Sequence, residues 1–109
     1  MTLRAVVKGV GHYLPERVVP NSYFEENLDT SNEWIVARSG IERRHFAAEG
    51  QTTSDLATKA AEAALASAGM TGADIDAIII ATSTADLTFP SAATMVQARI
   101  GKRQLPAST

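Results

Sequence analysis

The sequence predicts an α/β fold with a parallel sheet, and three consecutive segments carry this prediction. Residues 53–70, TSDLATKAAEAALASAGM, have the composition of an alanine-rich helix, and residues 77–83, AIIIATS, form an apolar, β-branched run. Residues 90–101, PSAATMVQARIG, indicate a second helix, with Pro90 near its start and Gly101 past its end. A strand that is apolar on both faces, between two helices, is typical of a sheet covered by helices.

Two further elements are predicted at the start of the chain. Residues 3–11, LRAVVKGVG, favour a strand because Val6 and Val7 are β-formers. Asn21 is placed to cap a short helix over residues 22–28, SYFEENL.

The next helix has signals at both ends. Thr30 and Glu33 have the spacing of a capping box, and Asp29 adds negative charge at the positive end of the helix dipole. Gly40 is placed to end the helix in a left-handed conformation. Residues 41–46, IERRHF, alternate roughly between apolar and polar and predict a strand.

The alanine-rich helix is the strongest prediction along the chain. Thr53 or Ser54 is expected to cap it, Asp55 suits its first turn, and alanines fill its interior. A stripe of small residues predicts close packing on a sheet: Leu56, Ala60, Ala63, Ala64 and Gly69.

Composition narrows the class of protein. The chain has 109 residues, 45% of them apolar, which is enough for one modest domain with a thin core. A net charge of −2 without a basic run gives little support to nucleic-acid binding. The longest apolar run, residues 77–81, is too short to cross a bilayer, and no signal peptide precedes the first strand. A soluble cytoplasmic protein is therefore expected.

Metal, disulfide and phosphate-loop chemistry find no support in the sequence. The chain has no cysteine, and His12 and His45 lack a ligand partner at helical spacing. Gly9 and Gly11 follow a predicted strand, but a dinucleotide fingerprint needs a third glycine and an immediate helix, whereas Pro15 follows. These glycines are expected to form a strand end and a turn.

Trp34 and Arg38 lie four residues apart on the predicted helix and so share one face. The indole and the guanidinium could bracket an adenine ring, or one could stack while the other pairs with phosphate. Alternatively, Trp34 packs in the core beside Ile35, and Arg38 complements the helix C-terminus. The spacing by itself favours this second interpretation.

Two other groups could contribute to a site. Arg43 and Arg44, together with Arg38, could receive phosphates or form a solvated face. Residues 82–84 follow the buried strand, where ligands gather in open α/β sheets. Phe89, on the loop that follows, could line an acyl pocket, contact another subunit, or act as a hydrophobic staple for the next helix.

The order and spacing of three stretches are recognisable: GVGHYLPE at 9–16, DTSNEWIVARSGIERRHFA at 29–47 and ATSTADLTFPSAA at 81–93. Together they resemble the N-terminal part of β-ketoacyl-acyl carrier protein synthase III. The resemblance implies the N-terminal portion of a thiolase-like fold, with layered helices and a mixed sheet, incomplete in this chain. It implies that residues 1–101 form a half-domain segment and that residues 102–109 are a divergent or truncated tail.

The resemblance also implies an activity, partners and site residues. The reaction is the condensation of acetyl-CoA, or another short acyl-CoA, with malonyl-acyl carrier protein in type II fatty-acid synthesis. It is carried out by a homodimer without a permanently bound cofactor. Thr30, Trp34 and Arg38 correspond to coenzyme A contacts, and Phe89 corresponds to an acyl-pocket or dimer contact.

The family's catalytic cysteine, histidine and asparagine have no counterpart within the 109 residues, so no catalytic residue is assigned and the chain is expected to be inactive by itself. Two alternatives stay open. The chain could be a non-catalytic module that contacts coenzyme A or dimerises. It could also be a segment of another thiolase-like enzyme, such as a hydroxymethylglutaryl-CoA synthase or a ketoacyl synthase of secondary metabolism.

Overall fold

The computed structural model describes residues 3–101 and 107–108. The chain forms two compact units, one of Leu14–Gly50 and one of Met1–Tyr13 together with Gln51–Thr109. Most of the predicted tail, residues 102–106 and 109, lies outside the described residues. Within the described part, no helix has the length and apolar character needed to cross a membrane.

The Leu14–Gly50 unit contains a pair of antiparallel strands and two helices. β1 (Arg17–Pro20) and β2 (Arg43–Phe46) are antiparallel, and Arg17 lies opposite Phe46. Helices α1 (Ser22–Asn27) and α2 (Asn32–Ser39) lie between them in the chain. β2 and both helices agree with the sequence predictions. β1 was not predicted, because its last residue is a proline, which is tolerated at a strand end but weakens the sequence signal.

Asn21 precedes α1, but its side chain does not cap the helix as predicted. The Asn21 Nδ2 atom donates instead to Asn32 Oδ1 at 2.9 Å and to the Ile41 carbonyl at 2.8 Å. Its backbone N–H donates to the Glu42 carbonyl at 3.2 Å. Asn21 is 2% exposed, and these long-range bonds pair its Nδ2 and tie α1 to the entry of β2, while its buried Oδ1 has no partner among the described residues.

Helix α2 begins one residue later than predicted. Ser31, not Thr30, is the N-cap, and its Oγ accepts from the Trp34 N–H at 3.1 Å. The predicted capping box of Thr30 and Glu33 is therefore wrong, because serine at position 31 competes for the same role one residue further on. At the other end, Gly40 has φ 73°, as the predicted left-handed ending requires.

Replacing Ser31 by alanine is expected to destabilise the protein by about 1 kcal/mol, since the Trp34 N–H loses its acceptor. Urea unfolding measures this loss. Thr30→Val is the matched control, because it removes a neighbouring hydroxyl that makes no helix cap. An equal loss in both variants would contradict the assignment of the cap to Ser31.

The second unit contains a 16-residue helix, an 8-residue helix and a short parallel strand pair. Its helices are α3 (Thr53–Ala68) and α4 (Ala92–Arg99), with a 3₁₀ turn at Gly72–Asp74. β3 (Ile78–Ile79) pairs in parallel with β4 (Ala107–Ser108). The core is small and consists mainly of α4 residues: Ala92, Ala93 and Val96.

The N-cap of α3 is Thr52, not Thr53 or Ser54 as predicted. Thr52 Oγ1 accepts from the Asp55 N–H, while Asp55 Oδ2 accepts from the Thr52 N–H at 2.8 Å, which completes a capping box. Thr52, Thr53 and Ser54 all carry a hydroxyl, and hydrogen-bond geometry selects Thr52, which the sequence analysis did not consider. Gly69 ends the helix with φ 67°, as expected.

Two predicted strands are shorter or absent in the described chain. No strand forms over residues 3–11, and Val7 is 80% exposed. The strand predicted over residues 77–83 is limited to β3, where Ile79 is 82% exposed rather than covered on both faces. A strand requires a hydrogen-bonded neighbour, and the described residues supply β3 with only two paired positions and residues 3–11 with none.

Gly9 and Gly11 allow the first segment to lie directly against α3. A Cβ at Gly9 would lie 2.7 Å from the backbone nitrogen of Ala68, and one at Gly11 would lie 2.8 Å from Ala63 Cβ. The small residues of α3 do pack closely, as predicted, but these described contacts are with the glycine segment rather than with a sheet.

Candidate functional site

An open groove of about 820 Å³ lies beside the start of α2 in the Leu14–Gly50 unit. Its wall is mixed, with aromatic and aliphatic side chains alternating with hydroxyl, carboxylate and guanidinium groups. The lining residues are Phe24, Leu28, Asp29, Thr30, Ser31, Trp34, Ile35 and Arg44. A concave apolar surface with a few polar groups is typical of a small-molecule site.

Thr30 contributes a hydroxyl that makes no bond within the described protein. Its Oγ1 is buried and has no hydrogen-bond partner there. Buried polar atoms are rarely left unpaired, because desolvation without a partner costs about 1–3 kcal/mol. Thr30 lines the groove, so a rotation of its side chain would bring this buried hydroxyl to a bound ligand.

Trp34 and Arg38 form a stacked pair on the exposed side of α2. The Arg38 guanidinium lies 5.1 Å from the centre of the indole ring, within the range of a cation–π contact. Trp34 is 55% exposed, whereas Ile35 is 7% exposed. The interpretation that Trp34 packs in the core beside Ile35 is therefore wrong for the described chain. Arg38 itself does not line the groove.

A second stacked pair forms another part of the wall. The Arg44 guanidinium lies 4.8 Å from the centre of the Phe24 ring, and Phe24 in turn meets Phe46 edge-on at 6.3 Å. The sequence marked Arg44 as part of a basic group, but it did not indicate Phe24, whose place in the groove depends on how α1 packs against β2.

Arg43 and His45 each have a partner within the Leu14–Gly50 unit. Arg43 is exposed, and its Nη1 lies 3.6 Å from Glu42 Oε2. Arg43 does not line the groove beside α2. His45 Nδ1 lies 2.6 Å from the Pro15 carbonyl, which places the ring proton on that nitrogen as a donor. Among the residues described, no cluster of three or more His, Cys, Asp or Glu side chains suits a metal ion.

Phe89 belongs to the second unit and lies on the loop before α4. Its side chain is 88% exposed, so it does not act as a hydrophobic staple for that helix. Thr82 and Thr84 precede it, and their hydroxyls lie 3.4 Å apart. The groove beside α2 does not include these threonines, so the sequence-based expectation that residues 82–84 line a site stays a prediction.

The same loop is fastened to the start of α3 by Asp86. Asp86 Oδ1 accepts from the Ser54 N–H at 2.7 Å, and Oδ2 accepts from Ser54 Oγ at 2.6 Å. Thr53 Oγ1 also donates to the Thr84 carbonyl. The sequence gave no signal for this contact, because Ser54 and Asp86 are 32 residues apart and no motif joins the two positions.

Electrostatics stabilise the charged form of this carboxylate. Burial acts to raise the pKa of Asp86, but hydrogen bonds from Ser54 and Thr52 outweigh it and hold the pKa below its ordinary value. The resulting stability is present above the pKa of an unfolded aspartate, about 3.9, and is lost as the pH falls through the lower folded value. Near neutral pH the contact is therefore fully formed.

Comparison with known proteins confirms the resemblance found in the motifs. The chain is 79% identical over 101 residues to β-ketoacyl-[acyl-carrier-protein] synthase III of Ruegeria pomeroyi, a match that covers 93% of this chain and 31% of that protein. No family model matches the chain. The chain thus spans about a third of the length of the curated relatives it matches.

Solved structures confirm the fold class. The crystal structure of 3-oxoacyl-[acyl-carrier-protein] synthase III from Aquifex aeolicus is 41% identical with a TM-score of 0.84, over 93% of this chain and 33% of that one. The priming β-ketosynthase of the R1128 polyketide pathway is 30% identical with a TM-score of 0.85, over 94% and 32%. The described α/β elements are thus a partial thiolase-like fold.

Proposed function

We propose that this chain is the coenzyme A-contacting segment of a β-ketoacyl-acyl carrier protein synthase III. The complete enzyme would condense acetyl-CoA, or another short acyl-CoA, with malonyl-acyl carrier protein to begin fatty-acid synthesis. The observation that carries the proposal is the groove beside α2, where Thr30 and Trp34 line one wall and Arg38 stacks on the indole. These are the three residues that the resemblance assigns to coenzyme A.

Each of these groups suits a part of a nucleotide. The exposed indole offers a flat surface for an adenine ring, and Arg38 already covers one of its faces, so the base would stack on the other. The Arg44 guanidinium lines the groove and would pair with phosphate oxygens, and the buried Thr30 hydroxyl would join it after a side-chain rotation. The chain would thus bind the nucleotide part of the acyl-CoA substrate.

The covalent steps would belong to other residues. Acyl transfer needs a thiolate nucleophile, and decarboxylation of the malonyl group needs donors to the developing enolate. The 109 residues contain no cysteine. We therefore assign no catalytic residue in this chain, and we expect no condensation activity from it in isolation.

Phe89 would contribute to a homodimer. Its nearly complete exposure on a loop suits a side chain that enters a partner's acyl pocket. The same feature also suits a non-catalytic module that only dimerises, which is the second candidate function. A ketosynthase of secondary metabolism is less well supported, because the similarity to the polyketide enzyme is 30% against 79% for the fatty-acid synthase.

A chimaera tests the proposal. The 101 matched residues of the Ruegeria pomeroyi synthase are replaced by the corresponding residues of this chain, and condensation of acetyl-CoA with malonyl-acyl carrier protein is measured. We expect turnover within about tenfold of the parent enzyme, because binding residues are retained. A folded chimaera without activity would overturn the proposed function. The isolated chain is the control and should show only background.

Replacing Phe89 by alanine in the chimaera is expected to raise kcat/KM for butyryl-CoA relative to acetyl-CoA by about tenfold, since a widened apolar pocket gains from each added methylene. The matched control is Leu87→Ala, which removes an exposed apolar side chain from the same loop. If the ratio is the same in both variants and in the unmodified chimaera, Phe89 does not line the acyl pocket.

A further inference from the structure

The loop that carries Phe89 is anchored on both sides of an exposed tip. On the N-terminal side, Asp86 makes two hydrogen bonds to Ser54. On the C-terminal side, Ser91 caps α4, and its Oγ accepts from the Thr94 N–H at 3.2 Å. Between these anchors only residues 87–90 are left, and Phe89 is 88% exposed there.

The Asp86 anchor is strong for a loop contact. Ser54 is fully buried, and the carboxylate receives both its backbone N–H and its hydroxyl at short distances. Hydrogen bonds to a charged acceptor stabilise by about twice as much as neutral ones. The acceptor also lies at the first turn of α3, where the helix dipole favours negative charge.

A second bond and an ion pair reinforce the same junction. Thr53 Oγ1 donates to the Thr84 carbonyl, two residues before Asp86. Asp55, in the first turn of α3, forms an ion pair with Arg99 of α4, whose Nη1 lies 2.8 Å from Asp55 Oδ1. The start of α3 is therefore joined both to the loop and to the helix that follows the loop.

We propose that Asp86 is a positioning residue: its bonds to Ser54 hold residues 82–89 against α3 and thereby fix where Phe89 projects. An exposed phenylalanine on an unanchored loop would lose conformational entropy each time it entered a pocket. The anchor removes much of that loss before binding. The link to acyl selectivity rests on the proposed function, whereas the anchoring itself does not.

Hydrogen exchange in the chimaera tests the anchoring. Asp86→Ala is expected to speed exchange of the Ser54 and Thr84 amides by about tenfold or more, because the Ser54 N–H loses its acceptor and the loop that protects the Thr84 N–H is released. Ser54→Ala should produce a smaller increase in exchange, since the backbone N–H of residue 54 still donates to Asp86 Oδ1. Asp76→Asn, which neutralises an exposed aspartate outside the loop, is the control. Exchange in Asp86→Ala no faster than in this control would overturn the proposal.

Acyl selectivity tests the consequence. Asp86→Ala and Ser54→Ala should shift the butyryl-to-acetyl ratio of kcat/KM in the same direction as Phe89→Ala, with Ser54→Ala the milder variant if Asp86→Ala fails to fold. Faster exchange with unchanged selectivity, while Phe89→Ala does shift it, would refute the positioning of Phe89. If Phe89→Ala itself has no effect, the acyl-pocket assignment fails, and the exchange result alone decides whether Asp86 anchors the loop.

Discussion

Replacing Trp34 by alanine in the chimaera is expected to weaken coenzyme A binding by about 1–3 kcal/mol, which corresponds to roughly 5- to 150-fold in Kd. The loss follows from the removal of the flat indole on which the adenine would stack. It also releases Arg38, whose guanidinium lies over that ring. Isothermal titration calorimetry with coenzyme A measures the change directly.

The matched variant is Trp34→Phe, which keeps an aromatic face and should lose only part of the affinity. Because Trp34 is 55% exposed, neither variant should shift the urea midpoint greatly. Unchanged affinity in Trp34→Ala would remove this residue from the binding site. A large fall in stability would instead restore a core role for the indole in the complete protein.

Replacing Gly11 by alanine is expected to destabilise the protein by about 1–3 kcal/mol, with no change in a binding group. The new Cβ would lie 2.8 Å from Ala63 Cβ and closer still to the backbone nitrogen of Ala64. Neither neighbour can rotate away, since one is helix backbone and the other is a methyl group. The segment and α3 would have to move apart.

Urea denaturation of the chimaera measures the effect of Gly11→Ala. Val10→Ala is the matched control, because Val10 is the adjacent residue and is 73% exposed, so its truncation should change stability by less than about 0.5 kcal/mol. Equal midpoints for the two variants would show that the first segment does not lie against α3 as described.

The sequence predicted helix ends correctly where a single residue type suits the required backbone conformation. Gly40 and Gly69 end their helices with positive φ, as predicted, because only glycine adopts that conformation without strain. The caps were less readable. Ser31 and Thr52 were each missed by one or two positions, since adjacent serines and threonines are chemically equivalent candidates and only the backbone geometry selects one.

Strands were less predictable than helices for a physical reason. A helix closes its hydrogen bonds within its own segment, whereas a strand needs a neighbour. Residues 3–11 have the composition of a strand but no paired neighbour among the described residues. β1 was missed despite its pairing with β2, because partners as distant in sequence as Phe46 is from Arg17 leave no local trace.

The sequence by itself determined the helices and the spacing of Thr30, Trp34 and Arg38, because each depends on one segment, and the resemblance of three ordered stretches implied the partial thiolase-like fold. Only the tertiary structure decided that the indole is exposed, that Phe24 and Arg44 complete the groove, and that Asp86 binds Ser54. Those contacts join residues that are far apart in the chain. Packing and charge interactions between such positions stabilise them, and a local sequence pattern does not predict these interactions.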